Sequence, residues 1–427
     1  MKPKFSLTSL GCARSLVDSE QMVDQLNQIG FEMVPEGTNE SIRVLNTCSF
    51  IQAAIDETES NITHLINQKR EGLIKYVVVA GCYPSRYKRH ILEDKYPDVD
   101  LWFSTKEEHQ LQIKLSELVF QKRFQPNLQR NYLKLTPNHF AYLKISEGCN
   151  NWCSFCTIPK IRGEHTSKTI ETVINEAKIQ LAMGVKELVL IAEDTTCWGE
   201  DIYGKPSLPL LLKELAKLDV LWIRVMYVFP PRVDDDFIAT IKNTPNIANY
   251  IDMPIQHVNT QLLKQMNRAH SNDFLAGILT DMTKEIPDLS LRTTLITGFP
   301  GETEAMVDEV CDFIETFEFS QLGCFTYSKE RETKSAKLAN PVSLMVAQQR
   351  LDRIMTKQYH LLQQRMPKYL NKTYQCIYEG GKRCRSYMQA PDVDSLIILN
   401  QEPDINVGDL IDVKLTDISG YDFIGTM

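Results

Sequence analysis

Hydrophobic and polar positions follow two alternating periods over the first 120 residues. Short apolar runs at residues 5–10, 42–46 and 76–80 predict strands, and the last run shows the weak alternation of a strand buried on both faces. In between, apolar residues recur every three or four positions, as they do at residues 22–29, and this spacing predicts helices. The pattern therefore indicates an open α/β sheet of parallel strands.

The same alternation resumes near residue 142 and continues to about residue 369. Six apolar runs predict strands, at residues 142–145, 187–192, 222–228, 250–253, 289–296 and 321–326. Six strand–helix units in succession predict a barrel or partial barrel of parallel strands. A long polar helix at residues 342–369 leads out of this second domain.

Two further segments differ from both α/β domains. Residues 121–138 contain basic residues and two prolines but no acidic residue and no clear period, which is typical of a linker. After residue 370, short alternating runs separated by turn residues predict a small all-β module. The predicted organisation is a domain at 1–120, a linker at 121–138, a barrel at 139–369 and a β-domain at 370–427.

Composition and charge argue against a nonspecific nucleic-acid-binding protein, a membrane protein and a secreted disulfide scaffold. The 427 residues carry a net charge of −8, which argues against nonspecific binding of nucleic acid through a global positive field. Apolar runs stay far below the roughly 20 residues of a membrane span, so we expect a soluble, cytoplasmic protein. Eleven cysteines are an odd number and too sparse for a secreted disulfide scaffold, so free thiols or metal ligands are favoured.

Three cysteines, here called the central triad, follow the first predicted barrel strand. Cys149, Cys153 and Cys156 have the spacing C-x3-C-x2-C. Three thiolates on one loop can hold three corners of a cubane iron–sulfur cluster, which normally has four protein ligands, so one iron would stay open. The alternatives are a zinc site with a fourth ligand such as His165, and three unrelated buried thiols.

A second set of three cysteines, here called the N-terminal triad, is defined by position after strands and not by close spacing. Cys12, Cys48 and Cys82 each follow one of the first three predicted strands. Ligands of open α/β sheets bind at the carboxyl edge of the strands, so three crossovers bring these thiols to one edge. They could bind a second cubane with one open iron. The alternative is that all three are small buried residues, since free cysteine is often buried.

The central motif, with Phe155 before its last cysteine, resembles the radical S-adenosylmethionine (SAM) superfamily. The resemblance implies that the open iron binds SAM and that one electron cleaves SAM to a 5′-deoxyadenosyl radical. Segments 190–194 and 294–302 are similar to those that contact SAM in the superfamily. The resemblance thereby implies Glu193, Thr294 and Gly298 as cofactor-binding residues, with Glu193 where close relatives more often have Gln.

Both triads together, followed by a β-module similar to the TRAM domain, resemble the methylthiotransferase family over nearly the whole chain. The resemblance implies an enzyme with two [4Fe–4S] clusters, on the N-terminal and central triads, that uses two SAM molecules. One SAM supplies a methyl group to sulfur and the other supplies the radical, so that SCH3 replaces hydrogen on carbon. It also implies an electron donor such as flavodoxin or ferredoxin.

Several stretches are similar to the RimO type of this family. They are residues 16–20, 194–196, 227–230, 252–257 and 323–328. This resemblance implies methylthiolation of the β-carbon of an aspartate in small-subunit ribosomal protein twelve. The last 57 residues carry a net charge of −4, whereas a tRNA-binding module should be basic. The alternatives are a tRNA adenosine methylthiotransferase of the MiaB type and a noncatalytic iron–sulfur protein.

Other polar residues are candidates for contacts with carboxylates. Lys160, Arg162 and Arg292 are expected near the barrel mouth, where they could meet a cofactor carboxylate or a substrate aspartate, although solvated surface is the commoner role for any single basic residue. His257 could orient the substrate or simply end a strand with a hydrogen bond. Five cysteines have no assigned role, and no third metal is predicted: Cys197, Cys311, Cys324, Cys376 and Cys384.

Overall fold

The first part of the chain forms a parallel sheet in a computed structural model that describes residues 2–123 and 133–427. Its strands are β1 (Lys4–Ser9), β2 (Glu32–Met33), β3 (Ile42–Thr47), β4 (Tyr76–Gly81) and β5 (Leu101–Ser104). Its helices are α1 (Ala13–Gln28), α2 (Gln52–Arg70), α3 (Cys82–Arg86), α4 (Arg89–Lys95) and α5 (Leu111–Phe120). The strand order is β2-β1-β3-β4-β5. The predicted open α/β sheet is confirmed, with the short β2 and β5 added.

Helices cover both faces of this sheet. Val78 and Ala80 of β4 pack with residues of α1 and α5, whereas the alternating Val77 and Val79 pack with residues of α2. Successive side chains of a strand point to opposite faces, so both sets of β4 residues are apolar. This double burial explains the continuous run of apolar residues that the sequence shows here.

The second part is a partial barrel. Its strands are β6 (Phe140–Lys144), β7 (Ser146–Glu147), β8 (Thr166–Ser167), β9 (Glu187–Ile191), β10 (Trp222–Val225), β11 (Ile247–Asp252), β12 (Ser290–Thr297) and β13 (Gln321–Thr326). Its helices are α6 (Ile158–Ile161), α7 (Ile170–Ala182), α8 (Glu200–Tyr203), α9 (Leu208–Leu215), α10 (Asp235–Asn243), α11 (Thr260–Gln265), α12 (Asn272–Glu285), α13 (Glu304–Thr316) and α14 (Leu344–Arg365). Six strands form a parallel sheet in the order β13-β12-β11-β10-β9-β6, as predicted.

Both neighbouring parts of the chain contribute to the inner face of the partial barrel. Phe140 and Tyr142 of β6 pack there with Tyr250 of β11. Val17 of α1 and Ala390 from the C-terminal part belong to the same apolar cluster. The side chains that fill the inside of the barrel thus come from all three parts of the chain.

The C-terminal part is a closed five-stranded β-barrel. Its strands are β14 (Thr373–Gly380), β15 (Arg383–Arg385), β16 (Ile397–Leu399), β17 (Leu410–Ser419) and β18 (Asp422–Thr426). The predicted all-β module is confirmed, and β15 is the strand that the sequence pattern did not show. In the predicted linker, residues 124–132 lie outside the described residues, while the amide of Leu135 donates to Glu20 Oε1 over 2.7 Å. No helix within 2–123 or 133–427 is long and apolar enough to span a membrane.

A plug segment, residues 386–396 between β15 and β16, lies against the amino ends of the barrel strands. Ser290 Oγ, at the start of β12, donates to the carbonyl of Met388 over 3.0 Å. Tyr250 donates its hydroxyl to Asp394 Oδ2 over 2.7 Å, and the carbonyl of Tyr387 accepts from Arg224 Nη1 at 2.7 Å. The C-terminal part therefore closes the bottom of the barrel, opposite the carboxyl ends of its strands.

A buried ion cluster fastens the same interface. Glu187 Oε1 accepts from Arg224 Nε at 2.5 Å, and Glu187 Oε2 lies 2.8 Å from Arg385 Nη1. All three side chains are fully buried. Burial alone would raise the pKa of Glu187, but the two guanidinium groups hold it below its usual value. Glu187 is therefore the carboxylate that the two buried arginines share, and Glu379 Oε1 also accepts from Arg385 Nε at 2.5 Å.

We expect Glu187→Gln to lower the free energy of unfolding by about 3 to 5 kcal/mol, since it leaves buried guanidinium charge uncompensated. The midpoint of urea unfolding measures this change. Glu214→Gln is a matched control, because Glu214 pairs with Lys217 on an exposed helix face and should cost less than about 1 kcal/mol. Equal midpoints for the two variants would contradict the role of the ion cluster.

Candidate active site

A cavity of about 550 Å³ opens at the carboxyl ends of the barrel strands. Residues that follow β9, β10, β11 and β13 line it, including Glu193, Phe229, Gln256 and Tyr327. Phe50 of the N-terminal domain lines the same cavity, which therefore lies between the two α/β domains. This is the end of a parallel barrel where active sites are found.

The central triad lies in the wall of this cavity. Cys149, Cys153 and Cys156 all line it, on the loop between β7 and α6. Burial raises the pKa of both Cys149 and Cys156 to about 12, so neither thiol ionises readily by itself. A metal that binds these sulfurs must displace their protons.

Contacts from the barrel hold the central loop in place. The side chain of Asn151 donates to Asp194 Oδ2 over 2.7 Å and accepts from Arg232 Nη1 at 2.9 Å. On the other side, Asn267 Nδ2 donates to the carbonyls of Asn151 and Trp152, at 3.1 and 3.0 Å. The loop is thus fixed on two sides before any cofactor binds.

The N-terminal triad lies at the carboxyl edge of the first sheet, as the position of each cysteine after a predicted strand indicates. Cys12 precedes α1, Cys48 follows β3, and Cys82 begins α3 directly after β4. The strands β1, β3 and β4 are neighbours, so the three loops meet. Gly11 permits this approach, because a Cβ there would lie only 3.0 Å from Cβ of Cys48.

The three thiols of the N-terminal triad differ in their surroundings. Burial raises the pKa of Cys48, and raises that of Cys82 to about 12. Desolvation also acts on Cys12, but the charge of Arg14 and a hydrogen bond from the Ser15 amide hold its pKa below the usual value. Cys12 is therefore the thiol of this triad that is favoured as a thiolate.

Arg14 and Glu193 lie between the two triads. Arg14 Nη1 donates to the carbonyl of Ala192 over 2.7 Å, its Nε lies 3.4 Å from Glu193 Oε1, and its Cζ is 4.8 Å from the ring centre of Tyr227. The charge of Arg14 acts on the thiols of both Cys12 and Cys156. An ion pair thus connects the N-terminal domain to the barrel between the two sets of thiols.

A second ion pair joins the domains beside the cavity. Arg86 follows Cys82 by four residues, and its Nη2 donates to Glu330 Oε2 over 2.7 Å. Glu330 Oε1 accepts from the amide of Gln52 at 2.9 Å, at the start of α2. Both charged side chains are buried. The segments after Cys48 and Cys82 are therefore held against the barrel by one carboxylate.

The chemistry of the donors fits an iron–sulfur cluster better than a single metal ion. Within the described ranges, no three His, Cys, Asp or Glu side chains are close enough to bind one ion together. The ligands of a cubane bind different irons and need no such proximity. His165 Nε2 lies 2.9 Å from the hydroxyl of Ser167, a hydrogen bond that disfavours the zinc alternative.

The three predicted cofactor-binding residues do not all lie together. Glu193 and Thr294 line the cavity. Gly298 instead lines a separate small cavity, and its amide donates to Glu302 Oε2 over 2.7 Å. A Cβ at Gly298 would lie 2.3 Å from Cβ of Ala347, so the glycine allows α14 to pack closely. The structure therefore gives Gly298 a packing role and does not bring it to the cavity.

Two of the three basic candidates were wrongly expected to be open to a cofactor or substrate carboxylate. Arg162 donates to Asp18 Oδ2 and Glu147 Oε1, at 3.0 and 2.6 Å. Arg292 donates to Asp252 Oδ1 at 2.8 Å, below the cavity. Carboxylates of the chain itself already pair with both guanidinium groups. Lys160 Nζ donates to the carbonyl of Glu332 over 2.5 Å.

The remaining candidates have structural surroundings. His257 is buried, and its Nδ1 accepts from the amide of Asn259 at 2.9 Å, which favours the strand-end alternative. Cys376 and Cys384, to which no metal was assigned, both lie in the core of the C-terminal β-barrel, where their thiols donate to the carbonyls of Tyr374 and Ile397, each over 3.5 Å. Their strands pair across the hairpin of β14 and β15. Cys197 and Cys311 are buried, and Cys324 is partly buried.

Sequence reasoning missed several residues that shape the cavity. Arg14, Arg86, Arg268 and Glu330 belong to no recognisable motif. A signal existed only for Arg14, which follows Cys12 by two residues and places a positive charge beside a candidate thiolate. The partners of the others are distant in sequence.

Three family models match consecutive parts of the chain. They are the uncharacterized protein family UPF0004 at residues 4–104, the radical SAM superfamily at 143–314 and the TRAM domain at 373–427. The central match contains the central triad, and the first contains the N-terminal triad. The predicted radical SAM fold and TRAM-like β-domain are confirmed.

Solved structures share this fold. The radical SAM methyltransferase TsrM from Kitasatospora setae, with cobalamin and a [4Fe–4S] cluster bound, has a TM-score of 0.57 and 12% identity, covering 78% of this chain and 77% of TsrM. The cobalamin-dependent radical SAM enzyme OxsB has a TM-score of 0.52 and 13% identity, over 85% of this chain and 56% of OxsB.

Curated relatives match over almost their whole length. Two proteins named ribosomal protein uS12 methylthiotransferase RimO, from Citrifermentans bemidjiense and Geobacter sulfurreducens, are 38% and 37% identical, each over 99% of this chain and 98% of the relative. A third RimO, from Clostridioides difficile, is 37% identical with the same coverage. The chain therefore belongs to the RimO family of radical SAM methylthiotransferases, enzymes that use a [4Fe–4S] cluster and SAM.

Proposed function

We propose that this enzyme adds a methylthio group to the β-carbon of an aspartate in ribosomal protein uS12, with two [4Fe–4S] clusters and two SAM molecules. The observation that carries the proposal is the pairing of two three-cysteine sites on facing domains, with the Arg14–Glu193 ion pair between them. One cysteine triad would suffice for radical chemistry alone. A second triad beside the same cavity could bind a second cluster, which would hold the transferred sulfur next to the site where the radical forms.

We assign the cofactor-binding residues by their positions around the cavity between the two α/β domains. Cys149, Cys153 and Cys156 would hold the central cluster, and the N-terminal triad would hold the second one. Glu193 and Thr294 face the space in front of the central triad and would contact SAM. When bound, the central cluster and SAM would supply the radical that breaks a C–H bond, and the second cluster would hold the sulfur that receives the methyl group.

The residues of the chain orient and isolate this chemistry. The buried Arg86–Glu330 pair fixes the distance between the two domains, and hence between the two cysteine sites. Apolar side chains such as Phe229 and Ile296 line the cavity and limit the access of water to reactive groups. Arg14 keeps a positive charge beside Cys12, where anionic sulfur would lie.

Charge and relatives favour a protein substrate. The C-terminal part has five Lys or Arg and nine Asp or Glu, a net charge of −4. Phosphate contacts supply most nonspecific affinity for nucleic acids, and a net negative charge opposes them. An acidic part suits a basic ribosomal protein through complementary fields. The curated relatives carry uS12 in their names.

A deletion strain tests the substrate. We expect uS12 from that strain to lack the mass increase of one SCH3 replacing H, with every tRNA nucleoside unchanged, because the enzyme acts on protein. Mass spectrometry of ribosomal proteins and of digested tRNA measures both. Expression of the intact gene should restore the modification, and the Cys153→Ala gene should not. If the deletion strain instead lost a modified adenosine in tRNA and kept the methylthio group on uS12, the substrate would be tRNA and the proposal would be overturned.

A further inference from the structure

Arg268 is a cavity arginine without a carboxylate partner among the described residues. Three other arginines near the cavity, Arg14, Arg86 and Arg232, pair with Glu193, Glu330 and Asp194 respectively. Arg268 lines the cavity, yet it is only 8% exposed and no acidic side chain of the described chain lies within 4.0 Å of it. Its Nε also has no hydrogen-bond partner there.

A buried guanidinium without a counter-charge is costly, because burial removes the water that would otherwise stabilise the charge. The contacts that Arg268 does make are with neutral groups and one thiol. Its Nη2 donates to the carbonyl of Pro254, and its Cζ lies 4.5 Å from the ring centre of Phe229. Its Nη1 donates to Cys153 Sγ over 3.7 Å. That sulfur is the group among these that becomes anionic on binding iron.

The backbone aims Arg268 at the central loop. The preceding residue, Asn267, has the left-handed conformation with φ of 57° and holds two carbonyls of the loop. One position earlier, the carbonyl of Met266 accepts from the amide of Ser154 at 2.9 Å. Residues 266–268 therefore all form hydrogen bonds with the loop around Cys153. Arg268, the last of them, places its positive charge next to the Cys153 sulfur.

We propose that Arg268 is the charge partner of the central cluster, a positioning residue that donates to the Cys153 sulfur and makes the cluster easier to reduce. The proposal rests on the central cluster of the proposed function. Hydrogen bonds to sulfur and the net local charge set the reduction potential of iron–sulfur clusters. Reduction adds one electron from an external donor, so a nearby positive charge stabilises the reduced form and raises the potential.

The test is a redox titration followed by electron paramagnetic resonance, with dithionite as reductant and no SAM. The full chain carries Cys12→Ala, Cys48→Ala and Cys82→Ala, so that the central cluster alone gives the signal. With Arg268→Gln, we expect the reduction equilibrium to become about tenfold less favourable, a shift of about 59 mV to more negative potential. Arg268→Lys, which keeps the charge but loses the planar fork, should show a smaller shift in the same direction.

Arg353→Gln is the matched control, because Arg353 pairs with Asp308 on an exposed helix, and its potential should equal that of the parent. An unchanged potential in Arg268→Gln with full iron content would overturn the proposal. If weaker SAM binding accompanied that result, the anion that Arg268 meets would be the SAM carboxylate. If Arg268→Gln fails to retain iron, the neutral Arg268→Met variant, which keeps an unbranched stem against Phe229, decides, and an unshifted potential there refutes the proposal. Failure of uS12 modification would not affect this measurement, so the two proposals are tested separately.

Discussion

Cys153→Ala is expected to abolish both SAM cleavage and methylthiolation. The substitution removes the middle sulfur of the central triad, which is also one of two hydrogen-bond acceptors of Arg268. Two remaining thiolates hold a cubane poorly, and a buried guanidinium loses its anionic partner at the same step. Since losing an outer-shell partner already costs 10- to 100-fold in metal affinity or activity, we expect both reactions to fall by more than about 100-fold.

Chromatography of 5′-deoxyadenosine and mass spectrometry of uS12 from one anaerobic reaction measure both outcomes. Cys311→Ala makes the same chemical change at a buried cysteine of α13 that is not among the residues lining the cavity, and it should retain both activities. Iron content should fall by about four per chain in Cys153→Ala and stay unchanged in the control. Normal 5′-deoxyadenosine formation by Cys153→Ala would refute the assignment of the central triad.

Cys12→Ala is expected to separate the two activities. The N-terminal triad lies on another domain, and the central loop is held by Asn151, Asn267 and their barrel partners without it. We therefore expect 5′-deoxyadenosine formation to stay within about threefold of the parent, while methylthiolation falls by more than about 100-fold. The same paired assay measures the ratio of the two products.

Cys82→Ala offers an internal comparison, since Cys82 belongs to the same triad but is buried. It should give the same separation if both sulfurs bind one cluster. Equal loss of both activities in the two variants would show that the N-terminal site supports only the structure of the barrel. Retained methylthiolation in either variant would remove its sulfur from the ligand set.

The two cysteine triads could be predicted from local information. Each N-terminal cysteine follows a strand whose apolar run is plain in the sequence, and parallel strands end at a common edge. The close spacing of Cys149, Cys153 and Cys156 needs no tertiary information at all. The six barrel strands were predicted for the same reason, since their apolar runs reflect burial between layers.

The contacts that orient these triads could not be predicted, because they join distant segments. Arg86 and Glu330 are 244 positions apart, and nothing in either neighbourhood marks them as a pair. Asn267 reaches the central loop because its backbone is left-handed, and the sequence pattern did not predict that conformation. Gly298 shows the opposite case, since its predicted role came from a local motif but the residue does not line the main cavity. Its glycine-rich segment resembled a cofactor contact, while the physical requirement for glycine there is the approach of Ala347.

The plug segment has a consequence for the order in which the enzyme is completed on the ribosome. Glu187 and Arg385 are roughly 200 residues apart, so translation at about 5–20 residues per second separates them by about 10 to 40 seconds. During that interval Glu187 and Arg224 lie at an end of the barrel that nothing yet covers. The amino ends of the barrel strands therefore stay uncovered until nearly the whole chain has emerged. Only then can Arg385 join Glu187 and Arg224 in the buried ion cluster.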